Sequence, residues 1–244
     1  MATQRWPAPS DVPWLRPEEL IRAAFARSRV VMMNEAHEGL KRCLRTRRIG
    51  VRLLPIAWEC GVRALAVDLL GPPSGPPDAD ARLEQPDLVQ LLETARRLGF
   101  RVSGYDINPG AIPLKLRTVQ KSPRFTNWRD GQQAGNLAGL LGGLAPDQRM
   151  LVWCGNMHHS KVRVLQFQPM GWQFRAKTGV DPFVIDQTVT VAYPARQSHL
   201  RVLEWARQEL VERGGEAGYV RQVGLPQLSP GCDAWLLSLD NEMS

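Results

Sequence analysis

The chain has 244 residues, a formal net charge of +7, and 43% hydrophobic and 23% charged residues. These proportions fit a soluble globular protein and exclude a disordered or collagen-like chain; the length suits a single α/β domain over 1–244, with 1–16 as an extended N-terminal arm. No apolar run reaches the ~18 residues of a membrane span, and the opening MATQRWPAPSDVPW lacks the apolar core of a secretory signal, so no membrane association and a cytoplasmic location are expected.

In chain order, Pro17 to Ser28 has helical spacing and Arg29 to Asn34 reads as a short buried strand. Leu40 to Cys60 reads as a helix interrupted at Gly50 and Pro55. Arg63 to Leu70 is a strand, and GPPSGPPDAD, Gly71 to Asp80, reads as a loop over a site. A helix over Asp87 to Leu98 stops at Gly99; a strand follows at Arg101 to Ile107 and a helix at Asn127 to Leu144. Met150 to Asn156 is a strand, Pro169 to Lys177 a short helix, Phe183 to Val191 a strand and Arg196 to Arg213 a helix, with DAWLLSL as a closing edge strand. Strands alternating with helices predict an α/β fold with a mostly parallel central sheet flanked by helices.

Cys43, Cys60, Cys154 and Cys232 stand far apart without a zinc-ribbon or CxxC spacing, and read as reduced and mostly buried. Cys154, inside the apolar MLVWCG, reads as a buried thiol rather than a nucleophile. The arginine-rich charge favours an anionic partner or substrate over a neutral one, without saying which. Nucleic acid is not expected, because the basic residues are dispersed and no recognition motif is present. Within the run Lys41 to Arg52 a solvated helix face is expected, with some arginines lining an entrance. His159 reads as packed or facing solvent, and His199 as solvated.

The chemistry collects at strand ends. Glu35 and His37 follow the first strand, Asp68 the second, Asp106 and Asn108 the third, and Asn156 and His158 the fourth. In a parallel sheet the C-terminal ends lie side by side, so these groups converge on one crevice. An imidazole can accept a proton at neutral pH, and a neighbouring carboxylate orients it, which points to general acid–base catalysis.

VVMMNEAHEG, GVRALAVDLL, GYDIN, NWRDGQQAGNLAGLL and MLVWCGNMHH arrive in an order that resembles the erythromycin esterase family, related in turn to ChaN-like and Tiki-type proteins. The resemblance covers roughly Val30 to Gln187. It implies that Glu35 and His37 match the family's first acid and histidine, that Asp68 stands where the family has Glu, and that Asp106 matches the acid of a Gly-Phe-Asp segment. Arg129 and Asp130 match an Arg-Asp pair, and His158 matches the late histidine. By that resemblance His37 activates water without a metal, with Glu35 or Asp68 orienting it, and His158 polarises the carbonyl or protonates the leaving oxygen. Arg129, Asp130, Asn156 and Asn108 are placed at the substrate. Asn34 stands where the family has glycine, and the chain is short for a macrolide-covering subdomain, so a smaller substrate is expected.

The leading expectation is therefore an esterase-type or lactonase-type hydrolase of a small anionic metabolite, with no cofactor. A biosynthetic enzyme using the same groups for elimination, cyclisation or acyl transfer, on an anionic or carrier-bound substrate, is the second. The third is a ChaN-type haem or metal binder. A divalent metal is possible on Glu35, His37, Asp68 and His158, although no HExxH spacing supports it. The sequence leaves the oligomeric state open.

Overall fold

A computed structural model describes residues 6–35, 40–71, 85–190 and 197–239. Short runs of apolar, often β-branched residues become strands buried on both faces, as parallel sheets require. In β1 (Val30–Glu35) every residue is buried, as in β4 (Arg149–Gly155) beyond its first position. With β2 (Val62–Val67), β3 (Arg101–Gly104), β5 (Phe183–Thr190), β6 (Glu216–Val220) and β7 (Ala234–Ser238) they form one seven-stranded sheet in the order β3-β2-β4-β1-β5-β7-β6. All neighbours are parallel except β6, which runs antiparallel to β7. The register pairs Val30 with Met150 and Glu35 with Gly155, so the ends of β1 and β4 are level.

Alternate residues of each strand feed opposite cores. Val31, Met33, Leu65, Val67 and Trp153 pack under α1 (Pro17–Arg27), α2 (Leu40–Glu59) and α3 (Pro86–Leu98). Val30, Met32, Ala66 and Val152 pack under α5 (Pro123–Gly142), α6 (Met170–Thr178) and α7 (Gln197–Glu212). Each fully buried aliphatic contributes about 1.5–3 kcal/mol relative to exposure, which makes these two layers the main source of stability. Among the described residues no helix is long and apolar enough to cross a membrane.

Several local expectations are corrected. Helix α2 runs unbroken through Gly50 and Pro55. Pro55 is exposed, where a carbonyl deprived of its helical donor meets water. Gly50 marks a close approach instead of a break, since a Cβ there would lie 2.8 Å from the Trp153 ring and 2.9 Å from Leu91. Helix α5 begins at Pro123, behind the Ser122 cap whose hydroxyl accepts from the Phe125 N–H. The four-residue helix α4 (Leu114–Arg117) and strand β6 were not anticipated. DAWLLSL is an internal strand, β7, and β6 lies beyond it. Part of the N-terminal arm covers β6 in turn: Leu15 and Gly218 exchange two backbone hydrogen bonds of 2.8 Å, and Trp14 stacks edge-on against Tyr219. Pairing that edge removes a template for unwanted strand addition.

Strand order also fixes where a site belongs. From β1 the chain passes through α2 to β2 on one side; from the adjacent β4 it passes through α6 to β5 on the other. Connections that leave neighbouring strands in opposite directions open a crevice at their C-terminal ends.

Candidate active site

The ends of β3, β2, β4 and β1 are consecutive neighbours, which puts Asp106, Asp68, Asn156 and Asn34 along one sheet edge. Helix α5 reaches that edge with successive residues. Arg129 donates from Nε to Asp106 Oδ1 at 2.9 Å and from Nη2 to Oδ2 at 2.6 Å. Burial disfavours the Arg129 charge, but the bond to Asp106 and the charges of Asp106, Asp68 and Asp130 outweigh it, so its pKa is raised and the cation is fixed. Gln133 donates to Asp106 Oδ1 at 2.9 Å, and Asn136 to the carbonyls of Tyr105 and Asp106 at 3.0 and 3.2 Å. Arg129, Gln133 and Asn136 recur at helical spacing on one stripe; that spacing was visible in the sequence, but the roles of Gln133 and Asn136 were not anticipated.

Asp130 lies on the next position of α5 and turns to β4. Its Oδ1 and Oδ2 sit 2.8 and 3.0 Å from His158 Nδ1, and Oδ2 also accepts from the Met170 N–H at 2.9 Å. Asp130 was expected at the substrate; it is fully buried and holds the histidine instead. A carboxylate can only accept, so Nδ1 carries the proton and Nε2 presents its lone pair when the ring is neutral. The His158 side chain is 21% exposed, and Nε2 has no hydrogen-bond partner among the described residues. His158 belongs to the one-turn helix Asn156–His159 that ends β4. Gly171 lets α6 close over this turn, because a Cβ there would collide with the His159 carbonyl.

Asp68 stands between these pairs: β2 stops at Val67, short of the expected Leu70, and Asp68 opens the one-turn helix Asp68–Leu70, where its Oδ2 accepts from the Gly155 N–H at 2.9 Å and ties the ends of β2 and β4 together. Asn108 is exposed and caps the turn Pro109–Ala111 through its side chain, 2.9 Å from the Gly110 N–H. Asn156 opens the helix that carries His158. His37 and most of the Gly71 to Asp80 loop lie outside the described residues.

Glu35 faces the other side of the sheet. Its carboxylate accepts from Arg47 Nε and Nη2 at 2.9 and 2.8 Å and from Trp153 Nε1 at 2.7 Å. Arg47 continues to Asp87 at 2.9 Å and to Gln85. The run expected to be a solvated helix face thus buries Arg45 and Arg47, and Arg47 is paired where β1 ends. His199 is likewise buried instead of solvated. His159 is fully enclosed, with Nε2 3.6 Å from Cys232 Sγ. Burial, reinforced by the charges of Asp68 and Glu35, pushes the Cys154 thiol well up, which keeps it unreactive. Among the described residues no three His, Cys, Asp or Glu side chains group as a metal ion would need.

No protein-family profile matches the sequence, and no curated protein matches it. The fold has solved counterparts. ChaN of Campylobacter jejuni, in a structure described as cofacial haem binding, matches over 93% of this chain and 96% of its own, with a TM-score of 0.52 and 12% identity. The fold is ChaN-like. RRSP, a MARTX toxin effector domain from Vibrio vulnificus CMCP6, matches 71% of this chain with a TM-score of 0.50 and 17% identity, the match spanning only 36% of the toxin domain.

Proposed function

We propose that the protein is a hydrolase of the esterase or lactonase type, acting on a small anionic metabolite, with His158 as general base. The observation that carries this reading is the Asp130–His158 pair: a fully buried carboxylate fixes Nδ1 of a partly exposed side chain, and Nε2 is left to accept a proton. The sequence resemblance to erythromycin esterases suggests the same class of chemistry but gives the base to His37 and the second role to His158; those roles are exchanged here because the Asp130 contact orients His158.

In this reading Nε2 takes a proton from water as the water oxygen bonds to the substrate carbonyl carbon. The imidazolium, stabilised by Asp130, then returns the proton to the leaving alkoxide as the carbon–oxygen bond breaks. Asp106 holds Arg129 by Nε and Nη2, so Nη1 points its donors toward an anionic group of the substrate. Asp68, level with both pairs, keeps the β2 and β4 ends in register. His37, after β1, is the second acid–base group in this reading, and no resident cofactor is required. The site is assigned to a cytoplasmic enzyme.

The test is a panel of carboxylate-bearing esters and lactones assayed with wild type and His158→Ala. Hydrolysis lowered by about 10²-fold or more in a folded variant supports the base; full activity in the variant overturns it.

The likeness to a haem-binding ChaN over nearly the whole of both chains favours a second reading. Of the described imidazoles, that of His158 alone combines partial exposure with a ring nitrogen left open, so it is the group that fits as a haem ligand. Bound haem would supply redox chemistry there. A Soret band from haem added to wild type and absent with His158→Ala supports this reading; an unchanged haem spectrum in the two rejects it.

A further inference from the structure

Beside His158 stands a ring that no acid–base argument requires. Phe167 meets the His158 imidazole edge-on, with centroids 6.0 Å apart and planes at 80°. It lies on a tight hairpin in which Val164 and Phe167 exchange backbone hydrogen bonds of 3.1 and 2.9 Å. The hairpin tip, Leu165, has a φ of 54°, a left-handed conformation that a residue with a branched side chain seldom adopts. Something must hold this turn in place. Asn127 does so from α5: its Nδ2 donates to the Gln166 carbonyl at 2.7 Å, and its Oδ1 accepts from the Gln168 N–H at 2.8 Å. The two bonds grip the peptide groups on either side of Phe167. Gln173 of α6 completes the clamp by donating from Nε2 to the carbonyls of Asn127 and Gln168 at 2.9 and 2.8 Å.

Asn127 and Asp130 are three positions apart on α5 and therefore share a face. One grips the loop that bears Phe167, and the other grips the ring that Phe167 touches. We propose that Asn127 and Phe167 are positioning residues for His158, setting the direction of Nε2 through an aromatic wall that α5 itself holds in register with Asp130. The same wall makes the neighbourhood of the base apolar, so the substrate side that passes over His158 is hydrocarbon while its anion lies toward Arg129. This substrate assignment rests on the hydrolase reading; the positioning does not.

The experiment separates the two. The imidazole nitrogens of His158 are followed by ¹⁵N-edited NMR, with the signals assigned by loss in His158→Ala. Wild type is expected to give one set, with the proton on Nδ1. Asn127→Ala and Phe167→Leu are expected to shift or multiply that set while circular dichroism stays native, and Phe167→Tyr, which keeps the ring, is expected to restore it. Where an ester from the panel is turned over, kcat is expected to fall about 10-fold with KM little changed, since misplacing a catalytic group is costly in rate. Unchanged His158 signals in folded Phe167→Leu and Asn127→Ala overturn the proposal, whatever the activity. Should Asn127→Ala fail to fold, Phe167→Leu decides alone. Shifted signals together with no hydrolysis of any ester sink the hydrolase reading and leave the positioning standing.

Discussion

The two faces of the sheet carry the same kind of chemistry at the same level, and differ in what each leaves over. Under α2 and α3, Glu35 and Arg47 meet with side chains 0% and 2% exposed, and Trp153 and Asp87 take up further hydrogen-bonding capacity. Under α5, the Arg129 and His158 side chains keep 28% and 21% of their surface in solvent, and each has a nitrogen pointing away from its carboxylate. An enclosed and satisfied pair stitches elements together; a pair held on one side and open on the other can work on something that arrives. Glu35, an acid in the most conspicuous stretch of the sequence, falls in the first class, and His158 in the second.

The largest effect should come from the enclosed pair. Arg47→Ala leaves the Glu35 carboxylate buried without its cation, and breaking a buried pair in this way costs about 3–5 kcal/mol. Thermal or urea unfolding of the variant should show a loss on that scale. A loss below about 1 kcal/mol, the range of exposed pairs, would erase the contrast between the faces. Next comes His158→Ala, expected to lower turnover by about 10²-fold, or about 2.7 kcal/mol in barrier, while stability changes far less. A variant that loses stability but not rate would put His158 in Glu35's class.

A third effect is smaller and depends on pH. Asp186 of β5 is enclosed, and burial by itself raises its pKa. The charge of His159 and the bonds from Ser229 and Thr188 outweigh that, leaving it below the ordinary 3.8. Asn34 also donates to it at 3.0 Å. A carboxyl whose folded pKa is depressed adds stability that is fully present above the unfolded pKa and is lost as pH falls through the folded one. Asp186→Asn should therefore cost about 1–3 kcal/mol at neutral pH, the cost of a buried polar group left without its partners. Its stability should fall less steeply than that of wild type below pH 3.8. Parallel acid limbs in the two proteins would remove Asp186 from the account.

What was legible in the sequence follows from the same physics. Runs such as VVMM and MLVW announce strands covered on both faces, and their alternation with helices announces the parallel sheet and its loaded edge. Strand β6 hid because EAGYV is short, mixes Glu and Gly, and runs antiparallel at an edge that Leu15 covers. Gly50 and Pro55 looked like breaks because local propensity cannot show that Trp153 needs the space or that Pro55 faces water. Convergence at the strand ends was readable from topology, whereas the side of the sheet each group faces depends on register: Asn34 and Glu35 are neighbours in sequence and serve opposite layers. The long arginine side chains were least legible, since nothing in KRCLRTRRIGVR says that Arg47 reaches a carboxylate under the sheet.

The smallest effect bears on the open pair itself. Arg129→Lys keeps one positive charge but cannot satisfy both oxygens of Asp106 and still offer a planar donor to a ligand. If Nη1 meets an anionic group of the substrate, KM should rise about 10-fold, the equivalent of about 1.4 kcal/mol, with kcat nearly unchanged, because such binding is shared by ground state and transition state. If Arg129 serves only to hold Asp106, both parameters should be close to wild type for a neutral ester and an anionic one alike, and any loss should be in melting temperature. Comparing a carboxylate-bearing ester with its neutral amide-capped counterpart separates the outcomes: a KM effect confined to the anionic substrate keeps Arg129 among the groups left open for chemistry, and a KM close to wild type on both, with any loss in melting temperature, moves it to the side of Arg47.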